Sequence, residues 1–123
     1  MPTAVVVDDS RAIRMILARS LRELGYEVRE AGNGSEALDT LRAGPPVDLV
    51  MADWNMPVMD GLELLQKIRA DRGFDRVPVV MVTTEAEIAQ MSLAMEAGAS
   101  EYIMKPFTKE ILVDKLRLAG SLK

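Results

Sequence analysis

The sequence predicts an α/β fold, a three-layer sandwich in which helices cover both faces of a five-stranded parallel sheet. Three observations carry that expectation. Short, nearly continuous apolar runs at residues 4–7, 47–52 and 77–82 have the length and β-branched content of strands buried on both sides. Between them lie segments whose apolar residues recur every three or four positions, as amphipathic helices require. The two kinds of segment alternate along the whole chain, and right-handed crossovers then place helices on both faces of a parallel sheet.

Local chemistry justifies each element in turn. Residues 3–8 form the first strand, and Asp8, Asp9 and Ser10 offer N-cap oxygens to a helix over residues 11–24. Ile13, Leu17, Leu21 and Leu24 share one stripe of that helix, and Gly25 suits the residue that ends it. Residues 26–31 alternate only in part and make a weaker second strand. Asn33-Gly34-Ser35 opens a helix carrying Ala37, Leu38 and Leu41, which Gly44-Pro45-Pro46 stops. Residues 47–52 are the third strand, and Asp60-Gly61 leads into a helix with Leu62, Leu65 and Ile68 on one side. Residues 72–76 loop into the fourth strand, residues 77–82, which ends at Thr83. A helix over residues 85–96 is closed by Ala97-Gly98-Ala99 and precedes a fifth strand at residues 100–104. The last helix starts near Thr108 and frays at Gly120.

With 123 residues and neither repeat nor linker, residues 1–123 read as one domain with its own core. The chain ends about one helix after Lys105, so no appended output domain is expected. The absence of cysteine excludes disulfides and thiolate metal sites. The absence of histidine excludes histidine triads, histidine metal ligands and a phosphohistidine carried by this chain. The apolar runs are strand-sized and no N-terminal stretch looks like a signal peptide, so membrane insertion is not expected and the cytoplasm is the expected location. A net charge of −4 argues against non-specific nucleic-acid binding.

Function is carried by what ends each strand. Asp8-Asp9, Asp53, Thr83 and Lys105 follow the first, third, fourth and fifth strands, and in a parallel sheet all of them lie on one rim. Each has a bland alternative: an Asp or Thr can merely cap a helix, and a lysine is ordinarily a surface residue. The conjunction on one rim is the informative part. Three close carboxylates stay ionised only beside a cation, and oxygen-only ligands suit Mg²⁺. A lysine and a threonine hydroxyl can hold phosphoryl oxygens. The set suits phosphoryl transfer to a carboxylate, with Asp53 as acceptor.

These residues sit in motifs that resemble the response-regulator receiver domains, and among them the single-domain chemotaxis regulators. The likeness runs through Val-Val-Asp8-Asp9-Ser, Asp53-Trp-Asn-Met-Pro-Val-Met-Asp-Gly-Leu-Glu63, Val-Thr83-Thr-Glu85, Ala-Gly-Ala99 and Lys105-Pro-Phe-Thr108, nearly the whole chain. The resemblance implies strand order 2-1-3-4-5 and a role for each position. Asp53 would attack a phosphohistidine on a partner histidine kinase. Asp9, Asp53 and the backbone carbonyl of Asn55 would bind Mg²⁺ directly, with Asp8 acting mainly through metal-bound water. Lys105 would pair with Asp53 at rest and with the phosphoryl group afterwards, and the Lys105-Pro106 bond is expected to be cis. Thr83 would move to bond a phosphoryl oxygen and Tyr102 would turn into the space it leaves. Asn55 and Glu85 would tune hydrolysis of the phosphoryl group. Ser10 departs from the family pattern, where a large apolar residue is common in chemotaxis regulators. Glu85 and Glu87 depart too, in a helix where lysines are expected.

The helix after Thr83 carries two apolar stripes, where packing on one sheet needs only one. Either Ile88, Met91 and Met95 pack inward, or they stay exposed beside Tyr102 as an adaptable partner face while the Ala/Leu stripe packs on the sheet. The resemblance favours the second arrangement. The chain is then expected to be a monomeric, phosphorylation-switched binding module and not an enzyme. Its output would go to a downstream protein such as the flagellar motor switch or a regulatory enzyme, and a phosphatase would be a further partner. A phosphoryl shuttle or phosphate sink is the alternative. An aspartate-nucleophile phosphatase fits less well, since Asp8-Asp9-Ser10 lacks the Asp-x-Asp motif such enzymes carry. No arginine-rich patch suggests a nucleotide messenger.

Overall fold

The computed structural model describes residues 1–84 and 89–122. Five parallel strands, β1 (Thr3–Val7), β2 (Glu27–Ala31), β3 (Leu49–Asp53), β4 (Val79–Thr83) and β5 (Glu101–Met104), lie in the order β2-β1-β3-β4-β5. The helices are α1 (Arg11–Glu23), α2 (Gly34–Ala43), α3 (Gly61–Ala70), α4 (Met91–Glu96) and α5 (Lys109–Leu118), with a 3-10 turn at Arg72–Phe74. The expected fold class and strand order are both observed.

β1, β3 and β4 are buried along their whole length, as their unbroken apolar runs require. Alternate residues of each strand feed two separate cores. Val5, Val7, Val50, Ala52, Val79 and Met81 face a core closed by α2, α3 and α4. Ala4, Val6, Leu49, Met51, Val80 and Val82 face one closed by α1 and α5 through Leu17, Leu21, Leu112 and Leu116. Two helices therefore cover one face and three the other.

Side-chain caps start four of the helices. Ser10, Asn33, Asp60 and Thr108 accept the backbone N–H of Ile13, Glu36, Glu63 and Ile111, so each helix begins where a strand or loop hands over a hydroxyl, amide or carboxylate. Gly25, at φ +96°, follows the α1 C-cap. Tyr26, placed in the second strand by the sequence reading, instead precedes it. Its buried hydroxyl lies 2.9 Å from the Ser121 carbonyl and 2.6 Å from the Ser121 hydroxyl, tying the end of the chain to the α1–β2 turn.

Two local expectations need correcting. On α3 the buried stripe is Gly61, Leu64, Leu65 and Ile68, while Leu62 is only partly covered. That is the i, i+3, i+4, i+7 pattern, and it begins at the glycine. On α4 neither expected arrangement holds. Met91 is buried at 5% exposure together with Ala94, whereas Leu93 at 51% and Met95 at 44% face solvent. The buried pair takes one residue from each expected stripe, because a helix this short can press only an i, i+3 edge onto the sheet. Met91 is therefore core and drops out of the expected partner face. Ile88, assigned to that face, and Glu85, assigned to hydrolysis, lie outside the described residues.

Arg69 links α3 to the segments that follow it. Its guanidinium donates to the carbonyls of Gly98 and Phe74, each at 2.9 Å, and to the Ser100 hydroxyl at 3.4 Å. Partial burial holds its pKa below the usual arginine value, against the pull of nearby Asp75.

Candidate functional site

The strand order puts the carboxyl ends of β1 and β3 side by side with β2 and β4 outside them, so chain direction diverges there and leaves a crevice on the rim. Asp8 follows β1 and is almost wholly buried. Its Oδ1 accepts the Ser10 N–H at 2.8 Å, and its Oδ2 lies 3.2 Å from Lys105 Nζ. Asp53 is the last residue of β3, and its Oδ1 accepts both the Trp54 N–H at 2.9 Å and Lys105 Nζ at 3.3 Å. Asp9 stands exposed at the mouth. One carboxylate oxygen from each of Asp8, Asp9 and Asp53 falls within 4.8 Å of the others. Lys105 comes from beyond β5, and its bond to Pro106 is cis, as expected.

Burial pushes the Asp53 carboxyl up to about 6, the charge on Asp8 adds to the rise, and Lys105 and the Trp54 N–H pull against it. Among the described residues the site is thus short of positive charge: one ammonium serves two buried carboxylates, with a third at the rim. The donors are all hard oxygens, with no nitrogen or sulfur ligand among them, a set that fits Mg²⁺. Asn55, whose carbonyl is the remaining expected ligand, lies exposed two residues past Asp53.

Thr83 ends β4 fully buried, and its hydroxyl donates to the Thr84 carbonyl at 3.2 Å. In the β4–β5 register Met81 pairs with Tyr102 and Thr83 with Met104. Thr83 and Tyr102 consequently point to the same face of the sheet, one pleat apart. Tyr102 is half-buried against the core that α4 closes.

Two contributors escaped the sequence reading. Arg14, in the first turn of α1, donates from Nη1 to the Asp8 carbonyl at 2.7 Å and also lies 3.4 Å from Glu30. It braces the loop that carries Asp8 and Asp9. Gly61 is the other: a Cβ there would strike the Asp53 carbonyl oxygen and come within 2.8 Å of Met81 Cε and 3.0 Å of Trp54 Cα. In sequence, Gly61 appears as part of a helix start at Asp60-Gly61 and of the motif that ends at Glu63, and neither reveals its close approach to the Asp53 backbone.

A family model described as the response regulator receiver domain matches residues 4–117. The chain is 45% identical over 115 residues to chemotaxis protein CheY1 of Helicobacter pylori, covering 93% of each. It is 45% identical over 113 residues to the chemotaxis protein CheY homolog of Campylobacter jejuni, covering 91% of this chain and 87% of that one. Among solved structures, chemotaxis response regulator CheY4 of Vibrio cholerae superposes with a TM-score of 0.88 at 34% identity, covering 97% of this chain and 98% of that one.

Proposed function

The chain belongs to the response regulator receiver domains, and from that premise we propose that it is a phosphorylation-controlled signalling switch whose acceptor is Asp53. The observation that carries this reading is the meeting of Asp8, Asp9 and Asp53 with the ammonium of Lys105. With its carboxyl near 6, Asp53 is ionised at neutral pH and available as a nucleophile. A carboxylate oxygen of Asp53 bonds to the phosphorus of a phosphohistidine on a partner histidine kinase as the P–N bond breaks. The imidazole nitrogen keeps that electron pair and takes up a proton, leaving an acyl phosphate on Asp53. Asp9, Asp53 and the Asn55 backbone carbonyl would hold Mg²⁺, with Asp8 reaching it mainly through bound water, and the ion would supply charge neutralisation for the transferring group. Lys105 then turns its charge to the phosphoryl oxygens, and Asn55 and Glu85 govern the approach of hydrolytic water.

The readout runs through Thr83 and Tyr102, which share a sheet face. A phosphoryl oxygen draws the Thr83 hydroxyl toward the site and the Tyr102 ring follows, a population shift that favours the binding-competent form of the α4–β5–α5 surface. Met95, Leu93, Met104 and Ile111 are exposed on those elements and suit an adaptable apolar contact with a downstream protein. The names of the relatives point to chemotaxis, which makes a motility component such as the flagellar motor switch the first target to test.

The test is labelling by a small phosphodonor, acetyl phosphate, with Mg²⁺. Intact-mass measurement should show one phosphoryl increment on the wild type and none on Asp53→Asn. Stoichiometric labelling of Asp53→Asn would sink the assignment.

A further inference from the structure

β5 is the edge strand of the sheet, and one side chain of α5 reaches around that edge. The Lys115 ammonium stands 4.6 Å from the centroid of the Tyr102 ring, within cation–π range. It also lies 3.3 Å from Glu101 Oε1, with the two side chains 27% and 18% exposed. The same Glu101 oxygen accepts the Tyr102 backbone N–H at 3.0 Å. An edge N–H with no strand beyond it is satisfied by the adjacent side chain, and the carboxylate that does so also fixes the cation over the ring. Backbone, ring and ammonium are thus tied at one point.

We propose that Lys115 is a positioning residue for Tyr102: anchored by Glu101, its ammonium holds the ring at the sheet edge and sets how much activation of Asp53 is needed to move it. The proposal rests on the switch reading given above. Thr83 lies one pleat along the same face, so a ring that travels toward it leaves the cation behind. The loss of that contact opposes the active state, and removing the cation makes activation easier.

Beryllofluoride with Mg²⁺ mimics the acyl phosphate, and Trp54, the chain's single tryptophan, neighbours Asp53 and reports binding by fluorescence. Lys115→Met keeps the apolar stem and removes the charge. Charge loss alone weakens binding of an anion and raises the beryllofluoride midpoint, whereas release of Tyr102 lowers it, by about two- to fivefold at ordinary cation–π strength. Lys115→Arg should leave the midpoint unchanged. Glu101→Gln, which keeps an acceptor for the Tyr102 N–H but frees the ammonium, should lower it in the same sense by less. In a Tyr102→Leu background the effect of Lys115→Met should vanish. A midpoint that stays put or rises, or a shift that persists without the ring, overturns the proposal alone. A wild-type chain that does not respond to beryllofluoride overturns the switch reading, and this proposal with it.

Discussion

The Lys105 ammonium stands 3.3 Å from Asp53 Oδ1, although 52 residues separate the two in sequence. It also lies 3.2 Å from Asp8 Oδ2, so this cation offsets the mutual repulsion of two buried carboxylates. Lys105→Met removes it and should destabilise the metal-free protein by about 1–3 kcal/mol, less than a fully buried pair would cost because the lysine side chain is 20% exposed. Mg²⁺ should restore most of that loss by supplying the missing charge. Urea unfolding with Mg²⁺ and with a chelator checks this. An equal loss under both conditions would mean that Lys105 acts through packing of its stem.

The raised carboxyl of Asp53 has a consequence for stability against pH. Its folded value of about 6 exceeds the ordinary 3.8, so between those values the folded chain binds a proton that the unfolded chain has released. Its contribution is fully present below about pH 4 and is lost as pH rises through 6, and the loss at neutral pH amounts to roughly 2 kcal/mol once solvent screening is allowed for. Asp53→Asn cannot ionise and can still accept the Trp54 N–H. In chelator at pH 7.5 it should be more stable than the wild type by about 2 kcal/mol, with the difference gone by about pH 4. Mg²⁺ should narrow or reverse the order, since it favours the ionised carboxylate. Denaturation midpoints across that pH range would refute the argument if the gap were constant.

The parts of this site that could be read in sequence are those a periodic rule reaches. Asp8, Asp53, Thr83 and Lys105 fall on one rim because strand ends in a parallel sheet share an edge, and that rule needs only the strand boundaries. Arg14 and Gly61 were not found, because one grips a backbone carbonyl and the other leaves room for one. No alternation of side-chain type encodes a main-chain contact. α4 departs from both expected arrangements for a different reason: its apolar residues outnumber the positions that a short helix can bury. Composition could not choose the Met91/Ala94 edge over either stripe.

Gly61 yields a prediction of its own. Its N–H donates to the Trp54 carbonyl at 2.9 Å, and its missing Cβ lets the start of α3 lie against the backbone of Asp53 and Trp54. Gly61→Ala must push that backbone away, at a cost of about 1–3 kcal/mol in stability. Because the displaced atoms belong to the acceptor residue itself, Mg²⁺ affinity read by Trp54 fluorescence should fall as well. An alanine variant with unaltered stability and Mg²⁺ affinity would show that the close approach is not required.

Val58 stores strain on the other side of the same loop. The Met59 N–H donates to the Pro57 carbonyl at 2.7 Å, which makes Val58 the centre of a three-residue turn, and its φ of 69° is the rarer, strained form of that turn. A β-branched residue there costs about 1–2 kcal/mol relative to one free of a Cβ clash. Glycine removes the clash but brings back about 0.5–1 kcal/mol of unfolded-state entropy. Val58→Gly should therefore raise stability by about 0.5–1 kcal/mol, seen as a higher urea midpoint at unchanged slope. Val58 is 82% exposed, so loss of its side chain leaves no cavity to offset the gain. Val58→Pro is the counter-test, since proline holds φ near −65° and cannot enter this turn; it should lower the midpoint. Stability that falls with glycine and holds with proline would mean that Val58 does not occupy the left-handed region in solution.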